Sequence, residues 1–154
     1  MTAKIRRTAA IAVTTGLLLA AGAAAPVLAA ASAPPGVEQT RRVDVVQRVT
    51  AFYDQYKSAV EGTNPYMNPE EVRAEFLTPE LDARLTEWAN ENQADPVFRA
   101  QNVPQDRSVR YEGSGASHAT VIVTEYWGSG SPTEVWYQVP LDGGRISDLT
   151  DPPQ

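Results

Sequence analysis

The sequence predicts an α+β domain in which about three N-terminal helices pack on one face of a four-stranded antiparallel sheet. Three observations carry this. Between residues 41 and 92 apolar side chains recur at steps of three and four, the spacing of a helix with one buried face. From Ser117 to Tyr137 they alternate with polar ones, the period of a strand with one buried face. The strand candidates are separated only by short Gly-containing breaks, which join neighbouring strands in a meander.

The first helix is expected over Arg41–Glu61, with Val45, Val49, Phe52, Tyr56 and Val60 as its stripe and Val46 and Tyr53 widening it. Arg48, Asp54, Gln55 and Lys57 fall on the other side, and Gly62 ends it. Asn68-Pro69-Glu70-Glu71 combines a capping Asn, Pro at the first helical position and a Glu able to reach back to the cap amide. A short second helix, Pro69–Phe76, follows. Thr78-Pro79-Glu80-Leu81 repeats that start for a third helix over Pro79–Asn92, whose face of Leu81, Leu85, Trp88 and Ala89 is expected in the core. The connector from Ala94 to Pro104 offers one short turn at Asp95-Pro96.

Four strands are expected at Ser108–Glu112, Ser117–Trp127, Thr133–Leu141 and Arg145–Thr150. Their turns fall on Gly113-Ser114-Gly115, on Gly128 to Pro132 and on Asp142-Gly143-Gly144. Val121, Val123, Glu125 and Trp127 share one face of the second strand; Thr120, Ile122, Thr124 and Tyr126 share the other. The inner face is the expected floor for Val49, Phe52, Tyr56, Leu85 and Trp88.

Upstream, Lys4, Arg6 and Arg7 precede an uncharged run from Thr8 to Leu28 rich in Ala and Leu, the pattern of a signal peptide over residues 1–29. Small residues place the cut after Ala29, with Ala30 and Ala31 as neighbouring alternatives. The rival is a retained membrane anchor, but a run this rich in Ala, Thr and Gly inserts less favourably than Leu or Ile. Residues 30–41 read as a flexible tether, 42–151 as one domain and 152–154 as a tail. A secreted or extracytoplasmic domain follows, held together without disulfides because the chain has no Cys.

The leader holds three of the thirteen basic residues and none of the nineteen acidic ones, so ten against nineteen remain, a formal charge of −9. That argues against nucleic acid, whose phosphates require clusters of Lys and Arg. It also disfavours an anionic membrane surface, so membrane association is expected only if the leader is retained. With a single His, His118, beside a turn, the chain lacks the parts of a hydrolytic triad or a His/Cys metal centre. Its Gly-containing stretches lie between strands, where they cradle no phosphate. No metal or cofactor is expected.

Ala51-Phe52-Tyr53-Asp54, then Phe76-Leu77-Thr78-Pro79-Glu80-Leu81, Asp95-Pro96 with Ala100-Gln101-Asn102, and a close on Gly144-Arg145-Ile146-Ser147-Asp148-Leu149 together resemble a family of small exported bacterial domains of unknown function. That family is similar to the nuclear transport factor two-like, or cystatin-like, superfold. The resemblance spans Val43 to Leu149 and implies a curved sheet wrapped around helices as a cone. Arg145 stands where the family usually has an aromatic. The superfold hosts enzymes, carriers and binding modules, so it implies no one activity.

In enzymes of that cone an apolar pocket raises the pKa of a carboxylate until it can move a proton. Glu125, in register with Val121 and Val123, is the candidate, near Tyr126 and Trp127; Asp54 and Asp148 are lesser ones. A binding site is the other candidate, on Asp95, Phe98 and Gln101, set against a plain structural plug in which Phe98 closes the core. The reading is a secreted, non-catalytic binding or accessory domain for a protein or small ligand. A cone enzyme using a pocket carboxylate is the alternative, and an inhibitor-like protein binding through the Gly128–Pro132 tip is a third.

Overall fold

The computed structural model describes residues 34–153. The expected leader over 1–29, its cleavage after Ala29, the first residues of the tether and Gln154 lie outside the described residues.

Helix α1 spans Pro35–Val60, so residues 35–41, expected in a flexible tether, are helical. Local contacts support this extension. Pro35 presets the first turn, Thr40 Oγ1 donates to Gly36 O at 3.0 Å, and Arg42 pairs with Glu38 at 3.3 Å. Such support leaves no apolar stripe to read; Val37 and Val43 are exposed. Farther along, Val45, Val49, Phe52, Tyr53 and Tyr56 are buried as expected.

Helices α2 (Pro69–Phe76) and α3 (Pro79–Asn92) begin and end where their caps predict. Asn68 Oδ1 accepts from Glu71 N at 2.9 Å while the Glu71 carboxylate accepts from Asn68 N at 2.8 Å, closing the capping box. Thr78 Oγ1 accepts from Leu81 N at 3.3 Å. Leu81 and Leu85 are buried. Trp88 is only half-buried and lies under a guanidinium, described below, so the floor expected beneath it is replaced by a cation.

The sheet runs β1 (Asp106–Gly115), β2 (His118–Tyr126), β3 (Thr133–Pro140) and β4 (Asp148–Thr150), antiparallel in chain order. The α+β class and the meander are as the sequence predicts. The first turn is not. It falls on Ala116 and Ser117, both at positive φ (47° and 73°), as a two-residue hairpin demands, while Gly113 lies inside β1 at a register shift. The fourth strand is shorter than expected, because Ile146 leaves the ladder to bridge Leu77. Thr78 N donates to Ile146 O, and Ile146 N to Phe76 O, both at 2.9 Å. The α2–α3 junction is thereby tied to the end of the sheet.

The core forms between α1 and the inner sheet face. Ala119, Val121 and Val123 of β2, Val135, Tyr137 and Val139 of β3, and Leu149 of β4 are buried there. Phe52 meets Tyr137 edge-on at 6.2 Å. Glu125 falls on the same face, and among the described residues it is the one charged side chain in the buried set.

Candidate functional site

The site is built from the connector after α3 and the strands facing it. Asp95 Oδ1 accepts from the amides of Val97 and Phe98, both at 2.9 Å, and Asp95 N donates to Ala100 O at 2.8 Å. An Asp side chain closing its own turn is the physical content of the Asp95-Pro96 start signal. Asp95 Oδ2 accepts from Tyr56 Oη at 2.9 Å, which fastens the turn to α1. The turn drives Phe98 inward against Tyr53 and Tyr56, ring centroids 5.6 and 5.4 Å away. Phe98 is therefore core. Gln101 is exposed, its Nε2 3.5 Å from Gln93 O.

Phe98 pointing inward leaves Arg99 at φ 54°, the left-handed region that a non-Gly residue rarely occupies. Its guanidinium lies over the Trp88 ring at 4.3 Å, and Nε is 3.5 Å from Asp151 Oδ1. Arg99 Nε and Nη1 are nevertheless buried without a hydrogen-bond partner among the described residues, and so is Tyr137 Oη. Buried donors of this kind are uncommon and costly.

Arg99 forms part of the wall of a cleft of about 890 Å³ between this connector and the β2–β3 loop, with Val103 and Gln105 on its side and Trp127, Pro132 and Thr133 opposite. Gln105 is pinned by its amide to Tyr126 O at 2.8 Å and by Lys57 Nζ to its own carbonyl at 3.1 Å. Across from it Gly128 sits at φ 75°, and a Cβ there would meet the Gln105 side-chain amide at 2.4 Å. The positive φ favours glycine at 128, and a Cβ there would make the flexible Gln105 side chain move.

Behind this wall lies Glu125, fully buried at 0% exposure. Tyr53 Oη donates to Oε1 at 2.9 Å and Thr133 Oγ1 to Oε2 at 3.2 Å; Trp127 Nε1 in turn donates to Thr133 Oγ1 at 2.9 Å. In register Glu125 stands between Arg107 of β1 and Thr133 of β3, but Arg107 turns away to bind the Asp54 carboxylate, its Nε at 2.9 Å. The acid is left without a cation. Burial pushes its pKa up to about 7, against the two hydrogen bonds that favour the charged form, with the Asp95 charge adding to the rise. Burial, then the neighbouring carboxylates, raises the phenols as well: Tyr53 beside Glu125, Tyr56 beside Asp95, and Tyr137 near both acids.

Of the sequence candidates, the structure brings buried Glu125 and half-buried Asp95 into one polar cluster with Tyr53, Tyr56 and Tyr137. Asp54 and Asp148 are elsewhere, in ion pairs with Arg107 and Arg84. His118 lies at the start of β2, its Nδ1 3.2 Å from Ala116 O. The aromatic partner of Glu125 is Tyr53 of α1, not the exposed Tyr126. Tyr53 was legible only as part of an apolar stripe, and Arg99 carried no signal beyond standing next to Phe98. Among the described residues no three His, Cys, Asp or Glu side chains converge as a metal site needs, and no helix is long and apolar enough to cross a membrane.

No protein-family model matches the sequence, and no curated protein does. The fold is similar to that of a protein of unknown function from Bacteroides thetaiotaomicron VPI-5482, known from its crystal structure. The two share 21% sequence identity and superpose over 75% of this chain and 92% of the other with a TM-score of 0.54, a likeness of fold alone.

Proposed function

We infer that this chain is an extracytoplasmic, non-catalytic binding domain of the cystatin-like kind, and that its ligand site is the cleft between the 98–105 connector and the β2–β3 loop. One observation carries the reading. The cleft, of a size suited to a small ligand, is walled in equal part by apolar side chains, Trp127 and Val103 among them, and by polar ones, among them the Arg99 guanidinium, whose Nε has no hydrogen-bond partner among the described residues. Secretion rests on the signal-peptide pattern of residues 1–29.

Catalysis is the second reading, favoured by one specific feature: Glu125, with its pKa near 7, contacts Thr133, and Thr133 faces the cleft. It ranks lower because Glu125 is sealed from the cleft, with both carboxylate oxygens engaged. A general acid or base must reach the proton it moves.

The test is a small-fragment screen read by 15N NMR on the indole resonances. Fragments that bind as proposed shift the Trp127 signal and leave that of Trp136, on the outer sheet face, in place. If hits perturb Trp136 or scattered surface amides and spare Trp127, the cleft is not the site.

A further inference from the structure

We propose that the cleft takes a small organic carboxylate with an apolar body, its carboxylate meeting the Arg99 guanidinium and its body resting against Trp127. This deepens the binding reading and rests on it.

The argument starts from what holds Arg99. A left-handed φ of 54° at a bulky residue costs free energy and persists only where surroundings impose it; here the Asp95 turn and the buried Phe98 ring do so. The Trp88 ring then holds the guanidinium from one side, its centroid 4.3 Å from Cζ. Orientation is therefore settled before any ligand arrives. An Arg fork presents two parallel N–H groups to a carboxylate, and a fork already held in place loses little freedom on binding. Yet Nε, which with Nη2 forms the side-on fork, has no hydrogen-bond partner among the described residues, and the Asp151 carboxylate stands before it at 3.5 Å.

The acids nearby do not supply one. Glu134, also on the cleft, is engaged by Arg110 Nη2 at 3.3 Å and Trp136 Nε1 at 3.4 Å. Asp151 comes from the chain end after β4. Its side chain is 65% exposed, and at 3.5 Å from Nε its carboxylate stands beyond good hydrogen-bond distance. It occupies the anion position loosely and is the group a ligand carboxylate displaces. The remaining wall sets the rest of the ligand: Val103, Trp127, Pro132 and Val135 are apolar, and the wall brings no second unpaired cation for a dianion. A monocarboxylate carrying a ring or a short branched chain satisfies both halves of the site.

The test is an NMR titration of 15N-labelled protein with 3-phenylpropionate and, separately, its neutral isostere 3-phenylpropanamide. The acid is expected to shift both the Trp127 indole and the Arg99 Nε–H resonances, and to bind at least about tenfold more tightly than the amide. Arg99→Met, which keeps an unbranched side chain over Trp88, should abolish that discrimination. Asp151→Asn, which weakens the internal competitor, should tighten the acid by about two- to fivefold. If Arg99→Met fails to fold, the acid-to-amide ratio on the unaltered protein and the Asp151 variant still decide. Equal affinities with Trp127 shifted would overturn the carboxylate assignment and leave the cleft as the ligand site. A fragment set, these two compounds included, that never shifts Trp127 would overturn both.

Discussion

Glu125 makes the stability of this domain fall as pH rises. Its pKa is about 7 in the fold against an ordinary value of 4.5, so between those values the folded chain holds a proton that the unfolded chain has released. Stability from this group is fully present below about pH 4.5 and is lost as pH climbs through about 7, above which its contribution is flat. At about 1.4 kcal/mol for each tenfold change in proton affinity, the loss is about 3 kcal/mol. Gln in its place is neutral throughout, and its carbonyl can still accept from Tyr53. The assay is urea unfolding of the protein and of Glu125→Gln at about pH 4.5 and about pH 8, the window that this linkage defines. The acid-to-alkaline loss should be about 3 kcal/mol larger in the unaltered protein than in the variant. Comparing the two proteins cancels the titration of the other carboxylates, which they share. Equal losses in both would refute the reasoning, because a buried acid with no cation cannot titrate normally.

Phe98→Ala should lower stability by about 3–5 kcal/mol, since the ring is fully buried against two tyrosines; denaturant unfolding measures it, and a loss under about 1 kcal/mol would deny Phe98 its place in the core. Thr133→Val removes one of the two donors to Glu125, so the Glu125 pKa, followed by 13C NMR of its carboxyl carbon, should move above its present value; no movement would mean the Thr133 bond is absent in solution. Gly128→Ala should cost about 1–2 kcal/mol and shift the Gln105 side-chain amide resonances, because the new methyl group meets strained backbone and that amide together. Unchanged Gln105 signals would place the two residues apart.

The parts of the fold legible in the sequence are those specified locally. Asn68 and Thr78 mark helix starts because a cap is a contact within four residues, and the ends of α2 and α3 follow from it. The parity of β2 puts Glu125 on the buried face with Val121 and Val123, so the acid itself was visible. What surrounds it was not. Tyr53 lies 72 positions away and belongs to a stripe whose spacing reports burial, not what its hydroxyl meets. The early start of α1 escaped because residues 35–41 bury no apolar face, and the Ala116–Ser117 turn escaped because neither residue is Gly. Arg99 is the clearest case. Its direction is set by the Asp95 side chain closing a turn, the ring of Phe98 filling the core and the plane of Trp88 receiving a cation, three contacts that no periodicity encodes.

The account depends most on the cleft beside Arg99 being a site that a ligand fills. A crystal structure of the protein soaked in a cocktail of small aromatic and branched carboxylic acids tests this directly. It should show one acid with its carboxylate on Arg99 Nε and Nη2, its body against Trp127, and Asp151 displaced. A cleft closed by the protein's own side chains, with Asp151 or Tyr137 bonded to Arg99 and soaked acids bound only elsewhere, would contradict it.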